Sequence, residues 1–397
     1  MPATEPPRRH RLRRALLWIV GIVVVFHVVG GWYFSGVLHE RALSGEARRA
    51  SNDLDPDLVV QAVVDSTIVL RPDGDAPTAL DDPGVYGLRW EGGNGTLGEV
   101  LKVEGDDVAR TFQLLDGETP AAGTRAELDV RVYTDPAQTG VDVEDVTIDG
   151  PLGAYPAWFV PADGDTWVIV VHGNALSRLD GVRWLPALRD AGFPSLTITY
   201  RNDAGAPEDP SGLLRYGRTE WEDLEAAVRY ALDQGSDGVV LFGLSMGGGV
   251  AASFMARSEL ADEVRALVLD APMLDLDRTV DDNAAREPLI GPVDLPPTLT
   301  TAAQAIADLR YDVGWSELDY LEEPQALGIV PVLIVHGTED LTVPIGTSRD
   351  AAERYPGTVT LHECEGADHL ACWNRDPAVV SALVTDFLDD QAPASQG

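Results

Sequence analysis

Residues 15–38, ALLWIVGIVVVFHVVGGWYFSGVL, form an apolar run without Asp, Glu, Lys or Arg. As a helix the run extends ~36 Å, enough to cross a hydrocarbon core of roughly 30 Å with some tilt. Trp18 lies near one end, Trp32 and Tyr33 near the other, where interfacial aromatics belong. Arg8, Arg9, Arg11, Arg13 and Arg14 precede the run, whereas Arg41 alone follows it closely. That asymmetry predicts a basic cytoplasmic tail (1–14), a transmembrane helix (15–38) and a body outside the cell membrane. The rival is a cleaved signal peptide. The run is long for a signal core, and no clean A-x-A site follows it. His27, inside the run, reads as a tolerated passenger.

Beyond the run the pattern changes twice. A short polar stalk is expected over 40–55. From about 56 to 150, LVVQAVV (58–64), STIVL (66–70), GVYGLRW (84–90), ELDVRVY (127–133) and VEDVTI (143–148) read as short strands. RPDGDAP (71–77), EGGNG (91–95) and LDGETPAAG (115–123) read as turns between them. A small sandwich, a barrel or an elaborated leading edge of the next sheet all fit. The stalk and β-rich region are assigned to 39–140, with no catalytic motif and no evident role.

From about 151 strands alternate with helical patterns, which predicts a mostly parallel sheet flanked by helices. TWVIVVHG (166–173), FPSLTITYRN (193–202), DGVVLFGLS (237–245), VRALVLDAP (264–272), VPVLIVHGTED (330–340) and VTLHEC (359–364) are the expected strands. RTEWEDLEAAVRYALDQG (218–235), MGGGVAASFMARS (246–258) and PAVVSALVTDFLDD (377–390) are expected helices. An α/β domain over 141–390 is therefore expected, carrying a cap at 273–328. Residues 391–397 read as a disordered tail. Within the cap, EPLIGPVDLPP (287–297) is expected to be irregular and TTAAQAIADLRY (300–311) helical. SELDYLEEP (316–324) is a second short helix candidate. Leu289, Ile290, Leu295 and Leu299 either line an acyl pocket or pack the cap onto the body.

Composition narrows the function classes. Apolar residues make up 45% and charged residues 24% of the chain, which is globular rather than disordered. The net charge is −36 although the first 49 residues are basic, so the body is strongly acidic. Such a surface repels phosphate backbones and excludes nucleic acid as an expected partner. Two Cys, Cys364 and Cys372, with no CxxC and no Cys/His cluster, give no basis for a metal site. No cofactor is expected.

The chemistry centres on Gly243-Leu244-Ser245-Met246-Gly247, a G-x-S-x-G at an expected strand-to-helix junction. A serine on so sharp a turn exposes its hydroxyl above the sheet, and bulky residues two before and two after would collide with neighbouring chain. Ser245 is the candidate nucleophile. Of the seven His, only His369 falls in a loop just after the last strand, which makes it the candidate base. His336 and His362 read as strand packing. Asp340, ending the strand VPVLIVHGTED, is the candidate orienting acid; Glu339 and Asp270 are rivals, and Asp368 adjoins the histidine too closely to orient it. The order Ser245, Asp340, His369 is the one expected of a nucleophile elbow. The oxyanion donors are expected to be the N–H groups of Met246 and of Asn174, in the loop after the first buried strand. Cys364 and Cys372 flank His369, so outside the cell a disulfide between them would clamp the base loop; otherwise they are buried thiols.

VVHGNALSR, GLSMGG, LIVHGTEDLTVP and GADHLACWN resemble the α/β-hydrolase superfamily over roughly 150–390. The HGN loop and the DxxVP segment resemble its serine aminopeptidase-like and Bem46-like esterase/lipase branches. The resemblance implies the α/β-hydrolase fold, a Ser245–His369–Asp340 triad and no metal. It leaves the substrate open among esters, lipids, peptides and transferable acyl groups. The expected activity is acyl transfer from a small ester or lipid-like substrate to Ser245 and then to water. A peptidase or amidase, an acyltransferase and a non-catalytic tethered binding module are the alternatives.

Overall fold

In the computed structural model, which describes residues 8–45, 54–74, 80–174, 177–290 and 293–392, the apolar run lies within one helix, α1 (Arg8–Leu38). A π-helical turn, His39–Leu43, follows it. Only 6% of the most apolar stretch of this helix is buried, unlike the core helix of a soluble protein. Residues 46–53 of the expected stalk, and residues 393–397 of the expected tail, lie outside the described residues.

A closed antiparallel barrel comes next. Its strands are β1 (Leu58–Val64), β2 (Thr67–Pro72), β3 (Tyr86–Trp90), β4 (Gly93–Glu104), β5 (Asp107–Gly117) and β6 (Arg125–Asp129), in the order β1-β2-β5-β4-β3-β6. Alternate residues point inward, so Leu58, Val60, Ile68, Leu70, Leu88 and Leu97 fill the core. The long hairpin β4–β5 goes beyond expectation: EGGNG turns at Glu91–Gly92 as expected, but its Gly93–Gly95 already belong to β4. A Cβ on Gly95 would lie 2.5 Å from the Phe112 ring. Glycine there makes room for a cross-strand aromatic, a use that reads in sequence as a turn signal.

VEDVTI belongs elsewhere than the barrel. It forms β7 (Glu144–Gly150), which pairs antiparallel with β8 (Gly153–Val160) at the edge of the main sheet. That sheet continues through β9 (Thr166–Val171), α2 (Leu185–Asp190), β10 (Ser195–Ile198), α3 (Glu220–Asp233), β11 (Gly238–Leu244), α4 (Met246–Arg257) and β12 (Val264–Asp270). The cap follows, with α5 (Leu276–Ala284), β13 (Pro288–Ile290), β14 (Val293–Asp294), α6 (Pro297–Tyr311) and α7 (Pro324–Leu327). The chain then adds β15 (Val332–Gly337), α8 (Gly346–Arg354), β16 (Val359–Cys364), α9 (Cys372–Arg375) and α10 (Pro377–Gln391). The strand order is β16-β15-β12-β11-β9-β10-β8-β7, parallel from β10 through β9 to β16. This is the expected mostly parallel sheet between helices. The central strands are buried along their length, as a sheet covered on both faces requires.

Three features of the cap depart from expectation. The Pro-rich run 287–297 holds the hairpin β13–β14. Helix α6 starts at Pro297, because proline is tolerated at a first helical position. Residues 316–324 carry no continuous helix: a 3-10 turn spans Trp315–Glu317, and α7 begins only at Pro324. The cap is also not free of the N-terminus. A Cβ on Gly30 would meet the Leu299 side chain at 2.8 Å, and one on Gly31 would meet Ile306 at 2.9 Å. The two glycines let α1 and α6 pack closely, as small residues do at helix crossings.

Candidate active site

Strand β11 ends at Leu244, and Ser245 caps the start of α4 with φ 54° and ψ −119°. A non-glycine residue at that φ is strained, and its surroundings hold it there. Ser245 donates its N–H to the Asp270 carbonyl (2.9 Å), and its own carbonyl accepts from Gly248 (2.9 Å) and Met273 (3.0 Å). A Cβ on Gly247 would sit 2.0 Å from the Val171 carbonyl oxygen, so the turn closes only with glycine there.

Three loops at the carboxyl ends of β11, β15 and β16 then converge. Ser245 Oγ donates to His369 Nε2 at 3.0 Å, and His369 Nδ1 donates to Asp340 Oδ2 at 2.7 Å. Asp340 is buried, yet it stays ionised well below the usual carboxylate range. Burial opposes that charge, but hydrogen bonds from His336 and His369, with their positive potential, outweigh it. The Thr342 and Val343 N–H groups add two bonds of 2.8 Å to Oδ1.

The rival acids are placed differently. Asp270 is fully buried against Arg183 at 3.4 Å; burial raises its pKa, and Arg183 works against that rise. Its backbone carbonyl, not its carboxylate, meets Ser245. Asp368 accepts from the His369 N–H (2.7 Å) and the Leu341 N–H (3.3 Å), so it ties the acid and base loops together. Glu339 donates its N–H to Ala367, a third tie between those loops.

Several contributors escaped the sequence reading. His336 is buried, accepts from Ser348 at Nδ1 (2.8 Å), and donates from Nε2 to the Val343 carbonyl (2.8 Å) and to Asp340 (3.1 Å). It is a second partner of the acid rather than strand packing. Its place four residues before Asp340, at the end of the same strand, was the available signal. Arg183 donates to the Leu370 carbonyl (3.0 Å) and to Asn374 Oδ1 (2.9 Å), bracing the residue after His369. Cys364 and Cys372, read from the sequence as either a clamp on this loop or buried thiols, are joined by a disulfide, Cα to Cα 5.5 Å, closing the loop that carries His369.

Asn174 and Met246 both border the cavity that holds Ser245 and His369. The loop before Asn174 is anchored firmly. His172 hydrogen-bonds Asp203 (2.8 Å) and stacks on Tyr200, whose hydroxyl donates to the His172 carbonyl (2.9 Å). The Asn174 side chain donates to Tyr216 (3.1 Å). Leu289 and Leu295 line the cavity, whereas Leu299 packs on Gly30 of α1. The Ile290 side chain lies outside the described ones. The cavity measures about 870 Å³, within the usual range for small-molecule sites.

A model of the alpha/beta hydrolase family matches residues 168–383. A second family, described only as a domain of unknown function, matches residues 59–129, the barrel. The uncharacterized protein YqkD of Bacillus subtilis (strain 168) is 21% identical over 244 residues, 59% of this chain and 75% of that one. Among solved structures, the Pyrococcus furiosus esterase Pf2001 aligns with a TM-score of 0.51 at 21% identity, covering 65% of this chain and 96% of its own. DcsB, solved with a substrate analogue, aligns with a TM-score of 0.50 at 19% identity, covering 63% and 99%. At such identities these structures share the fold.

Proposed function

The chain belongs to the alpha/beta hydrolase family, and from that premise we propose that it is a membrane-anchored serine hydrolase of carboxylic esters, working through an acyl-enzyme on Ser245. The observation that carries this reading is the unbroken line of hydrogen bonds from Asp340 through His369 to Ser245 Oγ. His369 Nε2 takes the Ser245 proton as Oγ bonds to the ester carbonyl carbon. The negative oxygen that results is held by the N–H groups of Met246 and Asn174. His369 then gives the proton to the leaving alcohol as the ester C–O bond breaks. Water, deprotonated by the same nitrogen, attacks the acyl-enzyme and releases the carboxylic acid. Asp340, held as a carboxylate, keeps the His369 Nδ1 proton in place throughout.

An ester is preferred over a peptide because the cavity is bordered largely by apolar side chains, among them Leu276, Val280, Leu289 and Leu295. The similar Pyrococcus furiosus protein is an esterase. Helix α1 serves as a single-pass anchor, with the hydrolase on the outer side, where the Cys364–Cys372 disulfide is chemically at home. Retention of α1 fits its packing on α6; a cleaved leader would have no reason to be cemented to the body.

A fluorophosphonate probe is expected to label Ser245 in the purified full chain. Ser245→Ala should abolish labelling and lower kcat on a short p-nitrophenyl ester by about 10⁴-fold or more. Cleavage of an aminoacyl anilide without ester turnover would replace the esterase reading with a peptidase. Absence of any adduct would leave a tethered binding module. Release of the protein from membranes by alkaline carbonate would remove the anchor.

A further inference from the structure

The cavity above Ser245 is built from three sources. The body supplies Ser245, Met246 and His369; the cap supplies Leu276, Val280 and Leu295. The third source is α1, whose Tyr33, Phe34, Val37 and Leu38 line the same space. This part of α1 is fastened in place. Arg310 of α6 donates to the Trp32 carbonyl (3.0 Å) and to Ser35 Oγ (2.6 Å), and lies 4.1 Å over the Trp32 ring. Thr298 donates to His27 Nε2 at 2.9 Å, while the opposite ring nitrogen donates to the Val23 carbonyl. Past the helix, Tyr216 donates to the Ala42 carbonyl (2.9 Å), Leu214 to Leu43 (2.8 Å), and Arg41 pairs with Glu287.

The helix also sets the depth of the cavity. From Leu16 to Val29 nearly every apolar side chain is bare, a stretch of about 20 Å. Body contacts begin at His27, Gly30 and Gly31. Trp32 and Tyr33 remain exposed at the next turn, where aromatics mark the edge of a bilayer. Tyr33 and Phe34 are at once the interfacial turn and a wall of the cavity. The space leading to Ser245 therefore opens at the level where a lipid carries its ester group.

Resting on the serine-hydrolase reading above, we propose that α1 is a wall of the substrate site as well as an anchor. The site takes an amphiphilic ester with a medium or long acyl chain, drawn from the membrane that α1 crosses. The chain lies against Phe34, Val37 and the cap, and the carbonyl reaches Ser245. Chemistry at Ser245 is unchanged; α1 decides which acyl chains reach it.

The test uses the full chain in phosphatidylcholine nanodiscs and the ratio of kcat/KM for p-nitrophenyl decanoate to that for the acetate. Each methylene that the cavity buries is worth about fourfold, so the wild-type ratio should exceed about tenfold. Val37→Trp should lower that ratio by about tenfold or more through lost volume. Val37→Ala should move the best chain length upward. Val20→Trp, on the bare part of the same helix, should leave the ratio where it was. A long-chain ester dissolved in the nanodisc bilayer should follow the same order. Fluorophosphonate labelling of every variant reports whether its fold and nucleophile survive. Labelled Val37 variants with an unchanged ratio would overturn the proposal. So would a wild type that cleaves p-nitrophenyl acetate but ignores the bilayer-resident long-chain ester. Loss of labelling in the wild type would instead defeat the hydrolase reading beneath it.

Discussion

Asp340 sits where a carboxylate is expensive, and its neighbours decide its charge. A buried acid with no partners would take up a proton; here two histidines and two backbone N–H groups hold it ionised. Replacing it by Asn leaves the geometry nearly intact but removes the charge that fixes the His369 tautomer. Asp340→Asn should lower kcat by about 10⁴-fold with little change in KM, measured on a short ester. The same residue couples stability to pH. Its folded pKa lies below the unfolded value of about 3.9, so its contribution is complete above that value and is lost as pH falls toward the folded one. The stability gap between wild type and Asp340→Asn should narrow as pH drops below about 4, read from urea unfolding at stepped pH. His336→Phe tests the second partner. It strips one hydrogen bond from a buried carboxylate, which costs about 1–3 kcal/mol, and should lower kcat more than it raises KM.

Two elements carry the site: the turn at β11–α4 and the loop 365–371. The turn depends on backbone passing close to backbone. A Cβ at Gly247 would strike the Val171 carbonyl oxygen, and neither partner is a flexible side chain. Gly247→Ala should cost about 3 kcal/mol or more and abolish labelling of Ser245, checked by thermal melting beside the probe. The base loop is closed by a disulfide between residues eight apart. For so short a loop the chain-entropy gain is about 2–3 kcal/mol. Cys364→Ser with Cys372→Ser should lower stability by that amount, and kcat should fall more than KM rises because His369 loses its clamp. The bonds from Arg183 to Leu370 and from Asp368 to His369 should keep some activity in that variant.

At the scale of the molecule, barrel, hydrolase body and helix α1 meet around one site. Asn374 is fully buried just after the disulfide. Its amide donates to the Val85 carbonyl, just before β3, and to the Val130 carbonyl, just after β6, and its oxygen accepts from Arg183. Asn374→Ala would leave the Val85 carbonyl without its side-chain donor, costing about 1–3 kcal/mol, and should raise hydrogen exchange both in 80–90 of the barrel and in the loop that carries His369. The barrel thus braces the back of the loop that carries His369, while α1 closes the front of the cavity.

The place of Ser245 between strand and helix, and the meeting of Asp340 and His369 beside it, were readable because each rests on local rules: a tight turn that demands glycine, a buried strand ending in polar residues, a loop after the last strand. The α/β alternation was equally local, since hydrophobic periodicity records which face of each element is covered. The length and charge-free composition of the apolar run likewise pointed to a membrane. Tertiary structure alone decided the rest. The β4–β5 hairpin was hidden because its glycines serve a ring on another strand. His336 gained its partner only when the acid loop folded back over β15. The approach of α1 to α6 joins Phe34 and Val37 to a serine more than two hundred residues away, and no spacing along a chain encodes which helix will close a cavity. Periodicity reports that a face is apolar; packing chooses what covers it.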